Sequence, residues 1–363
     1  MLRAGLIGFP ASGKTALFQL LTSAREAPRP SGKQEANVGV SRVPDERLDR
    51  LTALFNPRKH VPATVEFADM GGAGGARAGA AALLDVAAFR NADALLHVVR
   101  MFRDPSVPHA AGSVNPARDV RTMEDELILA DLGVVERRLE RLERDLKKAG
   151  SSADLRKELE LLQQCKATLE HGRALRSLDL SGDQLKMLRG FQFLSAKPLL
   201  LVLNLDEADL GQAGRAVALA GLEDFLGGAR TRAVRICAKI ELEIAQLDEA
   251  DAKAFMADLG LNESGLDRVI RASYDLLGYI SFFTVGEDEN RAWSIPRGTN
   301  AQMAAGEIHT DIQRGFIRAE VVRYDHLLAR GTIAACREHG ELRLEGKDYV
   351  VVDGDVINFR HAT

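Results

Sequence analysis

Gly8-Phe9-Pro10-Ala11-Ser12-Gly13-Lys14-Thr15 carries the G-x-x-x-x-G-K-[ST] spacing of a phosphate-binding loop. At average composition such a match is expected by chance in about 1 chain in 100 of this length. Its flanks agree with it: Leu2 to Gly8 reads as a short buried strand, and Thr15-Ala16-Leu17-Phe18-Gln19-Leu20-Leu21 as the helix that follows. The chemistry asks for these residue types. Glycines let successive backbone N–H groups face one phosphate, the helix N-terminus adds positive potential, and Lys14 brings a mobile charge to the β- and γ-oxygens. Thr15 offers a hydroxyl to Mg²⁺. The nucleotide-contacting set here is Gly8, Ala11, Ser12, Gly13, Lys14, Thr15 and Ala16, with Lys14 also counted as catalytic.

Further apolar runs at Thr64 to Ala68, Leu95 to Val99, Pro198 to Leu203 and Ala233 to Ala238 are short and separated by helical or loop segments. They suit buried parallel strands, so the fold class is α/β, a P-loop nucleotide-binding domain on a mostly parallel sheet. At the end of the first run, Asp69-Met70-Gly71-Gly72 has the D-x-x-G form. Asp69 is expected to hold a Mg²⁺-bound water and Gly72 to meet the γ-phosphate. Base recognition falls after the Pro198 to Leu203 strand, at Leu203-Asn204-Leu205-Asp206-Glu207. Guanine-specific sites read N-K-x-D, whose carboxylate accepts from guanine N1–H and N2–H₂. Here Leu205 replaces the lysine and Glu207 is longer by one methylene, which moves the expectation toward ATP. Asn204, Leu205, Glu207, Cys237 and Ala238 complete the expected nucleotide-binding set.

The chain has 363 residues, 46% of them hydrophobic, enough for two or three domains. No run of about 18 apolar residues spans a membrane, and the chain enters a strand directly, so a soluble cytoplasmic protein, monomeric and away from membranes, is expected. Cys165, Cys237 and Cys336 are too scattered for a disulfide framework or a zinc site and read as buried thiols. A formal charge of −4 gives no global pull on nucleic acid. Leu132, Val135, Leu139, Leu142 and Leu146, then Leu155, Leu159, Leu162 and Leu169, repeat at spacings of a coiled-coil seam on either side of a turn near Gly150. Residues 125–175 therefore read as an inserted antiparallel helical hairpin, inside a nucleotide-binding domain of residues 1–124 and 176–278. On its first helix Arg137, Arg141, Arg144 and Lys148 share a face, read as solvated, with Glu140 and Glu143 placed to pair with Arg144 and Lys147. After Tyr279 the texture turns to short β-type runs at Ile280 to Val285, Ala292 to Ile295, Phe316 to Val322 and Tyr349 to Phe359. They mark a β-rich domain over 279–363.

Together these features resemble the YchF family of Obg-related P-loop ATPases. The likeness continues through Val114-Asn115-Pro116, Leu175-Arg176-Ser177-Leu178-Asp179-Leu180, Leu266-Asp267-Arg268-Val269-Ile270-Arg271-Ala272, Ile308-His309-Thr310-Asp311, Gly315-Phe316-Ile317-Arg318-Ala319 and Glu345-Gly346-Lys347-Asp348-Tyr349. The resemblance implies a G domain, a coiled-coil insertion and a C-terminal TGS domain of ubiquitin-like β-grasp fold. It also implies ATP preferred over GTP and a role at ribosomes or in stress and redox responses. This chain departs from the family in its switches. Lys33 stands where the family carries a Mg²⁺-ligating threonine, Gly32 where bacterial relatives carry a cysteine, and Ala73 to Ala80 form a shortened second switch whose only charge is Arg77. Ala73 also occupies the position at which Ras-like enzymes orient water with a glutamine. The resemblance places His109, in the Pro/Gly-bounded stretch from Asp104 to Gly112, as the group that orients or deprotonates water instead. His97, inside a strand, reads as a core residue.

The expected function is hydrolysis of ATP, with GTP less favoured, at a low intrinsic rate and with Mg²⁺, the nucleotide state controlling contact with a ribosome, RNA or another partner. Two alternatives stay open: a nucleotide-dependent adaptor that barely hydrolyses, and a GTPase of the Obg type. A small-molecule kinase would need an arginine-bearing lid, and the arginines lie on the helical hairpin instead.

Overall fold

Leu199–Asn204 and Ala94–Arg100 are buried at every position, as continuous apolar runs must be when helices cover both faces of a parallel sheet. The computed structural model describes residues 2–22, 37–69, 89–149, 153–210, 221–228 and 230–362. Its first sheet joins β1 (Arg3–Ile7), β2 (Asn37–Arg42), β4 (Thr64–Asp69), β5 (Ala94–Arg100), β6 (Leu199–Asn204) and β7 (Thr231–Ile236) in the order β2-β4-β1-β5-β6-β7. The pairs β1–β4, β1–β5, β5–β6 and β6–β7 are all parallel, as expected. The C-terminal strand ends gather the loops at one edge, where α/β sheets bind ligands. The last strand starts at Thr231, two residues ahead of the sequence reading, and β2 went unread because Asn37–Arg42 alternates half-buried and exposed residues.

Chain contacts divide the molecule into two units, Leu2–Val40 with Glu66–Leu276, and Ser41–Val65 with Leu277–Thr363 and Met1. The first holds the parallel sheet and the hairpin. Helix α3 (Pro116–Ala149) starts with an asparagine cap, Asn115 Oδ1 accepting from Arg118 N at 3.0 Å, followed by Pro116 at the first helical position. Its first turns bury Val120, Met123 and Leu127 in the sheet core. Beyond them Val135, Leu139 and Leu142 pack with Leu161, Leu162, Cys165 and Leu169 of α4 (Ala153–Glu170). The hairpin helix thus begins at 116, not 125, because one continuous helix serves both cores. Arg138 and Glu158 join the two helices by bonds of 2.7 and 2.8 Å. Arg137, Arg141 and Arg144 are exposed, as expected, while Arg144 Nε donates to the Glu140 carbonyl rather than to its carboxylate.

In the second unit β8 (Tyr279–Thr284), β9 (Glu289–Pro296), β10 (Phe316–Arg323), β11 (Arg343–Glu345) and β12 (Asp355–His361) form a mixed sheet with β3 (Lys59–Val61), ordered β11-β10-β12-β8-β9-β3. A helix over Ala301–Ile308 lies across it, its small residues Ala301, Ala304 and Ala305 buried against Phe282, Ile295, Val321 and Phe359. A helix laid on such a sheet is the β-grasp arrangement. The run at Tyr349 to Phe359 is a strand only from Asp355, because Gly354 turns the chain at φ 89° and the Asp355 carboxylate accepts from Val352 N and Tyr349 Oη. Residues 41–65, read from sequence as part of the nucleotide-binding domain, cluster here. Arg47 of α2 (Glu46–Phe55) lies over the Phe283 ring and donates to Asp353 at 2.8 Å.

Candidate functional site

The loop from Gly8 to Gly13 leaves β1 and enters α1 (Lys14–Thr22) through three residues with positive φ: Gly8 at 145°, Ala11 at 59° and Gly13 at 99°. A Cβ on Gly8 would come 2.5 Å from the Val98 carbonyl, and one on Gly13 would come 2.3 Å from Asn204 Nδ2. Glycine is therefore required at both by conformation and by space. Lys14 Nζ spans the loop, donating to Gly8 O at 2.8 Å and Phe9 O at 2.7 Å. Burial pulls the lysine below its ordinary pKa, and the Asp69 charge works against that shift. The Ser12 hydroxyl is buried with no hydrogen-bond partner among the described residues, a polar atom suited to a ligand oxygen. Thr15 is exposed at the helix start, and Asp69 is 3% exposed at the end of β4.

Asn204, 4% exposed, joins three parts of the site. Its Nδ2 donates to Ser12 O at 3.0 Å and its Oδ1 accepts from Ala238 N at 3.1 Å. Its own carbonyl accepts from Met101 N and Phe102 N at 2.9 and 3.2 Å. Beside it opens a cavity of about 480 Å³ that Gly13, Ala16, Asn204, Leu205, Glu207, Cys237 and Ala238 line, a size suited to a nucleobase and sugar. The sequence reading missed Phe102, Arg103, Lys239 and Leu242, which line it too. No motif marks these four: Phe102 and Arg103 come from the loop after β5, and Lys239 and Leu242 from the short helix Ala238–Ile244. Leu205 is buried and its N–H is spent on Ile236 O at 2.7 Å. The Glu207 carboxylate is engaged by Lys239 at 3.1 Å, with the two side chains 49% and 71% exposed.

His97 is fully enclosed in the sheet, and burial together with the Lys14 charge pushes it down to about 3. The folded chain therefore leaves it neutral where the unfolded chain, with a histidine pKa of about 6.5, takes up a proton. The unfolded state binds more protons in that window, so His97 makes stability rise with pH between about 3 and 6.5. His97→Leu is expected to remove up to about 1.4 kcal/mol per pH unit of that acid-side slope, read from urea titrations repeated across the window. An unchanged slope in the variant contradicts this account of His97.

His109 lies 5.9 Å, ring to ring, from Phe9 of the phosphate loop. Its Nδ1 accepts from Ala111 N at 3.0 Å, and its Nε2 lies buried 2.9 Å from Asp119 Oδ2 without the geometry of a hydrogen bond. Both side chains are 3% exposed, and Arg118 holds the other Asp119 oxygen at 2.7 Å. The expected water-activating residue thus sits beside the loop with Nδ1 hydrogen-bonded and Nε2 buried against Asp119. Gly72, Gly32, Lys33, Ala73 and Arg77 lie outside the described residues. Cys165, Cys237 and Cys336 are buried free thiols, and no described helix is long and apolar enough to cross a membrane.

Residues 279–362 match the family model for the C-terminal region of YchF GTPases, described as a protein of unknown function. Over 363 residues the chain is 41% identical to the ribosome-binding ATPase YchF of Bacillus subtilis, covering 99% of each sequence. It is 40% identical over 362 residues to the protein of the same name from Pasteurella multocida, covering 99% of this chain and 98% of the other. The solved structure of the Schizosaccharomyces pombe YchF GTPase is similar at a TM-score of 0.87 and 29% identity, over 99% of this chain and 97% of that one.

Proposed function

The chain belongs to the YchF family, and from that premise we propose that it binds ATP in preference to GTP, hydrolyses it slowly, and couples its nucleotide state to contact with the ribosome. The observation that carries the reading is the Asn204 bridge, which ties the phosphate loop at Ser12 to the wall of the base cavity at Ala238. Triphosphate and base then occupy one continuous site. On binding, the phosphate oxygens replace the Gly8 and Phe9 carbonyls as partners of the Lys14 ammonium. The Thr15 hydroxyl and Asp69 carboxylate are hard oxygen donors of the kind Mg²⁺ takes, one or two from the protein and the rest from phosphate and water. They fit the ion, which when bound neutralises charge that develops on the phosphates. Within this reading the three parts are a G domain on the parallel sheet, a coiled-coil insertion on the helical hairpin and a TGS-like domain over 279–363. The protein acts in the cytoplasm as a monomer.

The base preference rests on Glu207. Guanine asks for a carboxylate that accepts from N1–H and N2–H₂, and this one is longer than aspartate and already paired with Lys239. Lys239→Ala is expected to release it and to raise GTP affinity by up to about fivefold, the range of an exposed ion pair, with little change for ATP. Titration calorimetry with both nucleotides reads the change, and a variant no better at binding GTP contradicts the role given to the pair.

The enclosure of His109 supports a low basal rate, since Nδ1 is taken by Ala111 N and Nε2 is buried against Asp119, leaving neither open to a water molecule. The same observation favours a second reading, an adaptor that hydrolyses little even when assembled. Single-turnover ATP hydrolysis with and without ribosomes separates the two. Faster product formation with ribosomes supports the ATPase, and no product in either arm leaves the adaptor.

A further inference from the structure

Arg100 closes β5 with a guanidinium that is almost entirely buried, the residue being 2% exposed. No carboxylate meets it at hydrogen-bond distance among the described residues. Its donors go to the backbone of one loop, Nε to Phe102 O at 3.3 Å and one Nη to Asp104 O and Val107 O at 3.3 and 2.8 Å. The other Nη has no partner among the described residues, and the guanidinium carbon lies 4.5 Å from the centre of the Phe102 ring. A buried cation held only by neutral carbonyls carries a desolvation cost that a loop needing only to be stapled does not require.

The stapled loop, residues 101–112, serves two ends of the site. Phe102, Arg103 and Asp104 line the base cavity. Five residues past Asp104 the same loop carries His109, seated on Phe9 and Asp119. Both halves hang on Arg100, and the first is also fixed by the Asn204 carbonyl.

We propose that Arg100 is a positioning residue for hydrolysis, holding this loop so that a base lodged against Phe102 and Asp104 sets the place of His109. The proposal rests on His109 being the group that orients the attacking water. Arg100 touches neither nucleotide nor water in this scheme. It acts through the loop, and its effect belongs to the catalytic step more than to binding.

The test is a double-mutant cycle on the full chain, with Arg100→Gln, His109→Ala and the two combined, read by single-turnover ATP hydrolysis in the presence of ribosomes and by the dissociation constant of ATP. Arg100→Gln is expected to slow hydrolysis by about 10- to 100-fold, the cost of misplacing a catalytic group by about 1 Å. Its effect on ATP affinity stays within about threefold, and the double variant is no slower than His109→Ala alone. Arg100→Lys, which keeps the charge but reaches fewer carbonyls, falls between the wild type and Arg100→Gln and carries the cycle should the glutamine variant not fold. Losses that add in the double variant, or an Arg100 variant at the wild-type rate beside an impaired His109→Ala, overturn the coupling while leaving His109 in its role. A His109→Ala variant at the wild-type rate overturns both.

Discussion

Asn204→Ala is expected to lower stability by about 2–6 kcal/mol and to weaken ATP binding by at least about tenfold, the largest combined loss from any single substitution at the site. The reason is arithmetic on buried groups. Removing the amide strips the Ser12 carbonyl and the Ala238 N–H of their partners, and each unpaired buried group costs about 1–3 kcal/mol. The binding loss has a separate origin. The phosphate loop and the wall of the base cavity then no longer hold a common geometry, so the nucleotide must organise them itself. Urea titration and calorimetry with ATP measure the two effects. Stability within about 0.5 kcal/mol of the parent and unaltered affinity would falsify the role assigned to the bridge.

His109→Ala carries the largest expected kinetic effect, a fall in ribosome-stimulated single-turnover hydrolysis of about 100- to 10,000-fold, the usual worth of a positioned general base. Binding is expected to change little, because the ring lies against Phe9 and Asp119 and not in the base cavity. The Asp119 carboxylate keeps Arg118 as a partner, so the variant is expected to fold. His109→Asn, which retains a donor near Asp119, serves as the control for packing and is expected to be equally slow. A rate matching the wild type in both places water activation elsewhere.

How far the sequence could be read follows from where each partner lies along the chain. The phosphate loop was legible because its whole chemistry sits in eight consecutive residues between a strand and a helix. The buried strands were legible because Leu199–Asn204 and Ala94–Arg100 are mostly apolar and do not alternate with polar residues. Asn204 was legible as a base-site residue but not as a bridge, since its partners stand 192 and 34 residues away. Lys239 lies 32 residues from Glu207, in the first turn of the helix Ala238–Ile244, so the pairing that blunts the carboxylate leaves no local mark. Placing α2 was beyond the pattern for another reason. Its apolar stripe, Leu48 and Leu51, says that one face is covered but not by which sheet. The enclosed state of His109 depends on Asp119 across a helix start and on a backbone N–H two residues on, neither of which periodicity reports.

The central claim is a site that takes triphosphate through Gly8 to Thr15 and reads the base as adenine. Calorimetric titration of the full chain with Mg-ATP and with Mg-GTP, under one buffer and salt, tests it most directly. The account predicts ATP binding at least about tenfold tighter, a difference of about 1.4 kcal/mol. GTP binding as tightly as ATP, or more tightly, contradicts it.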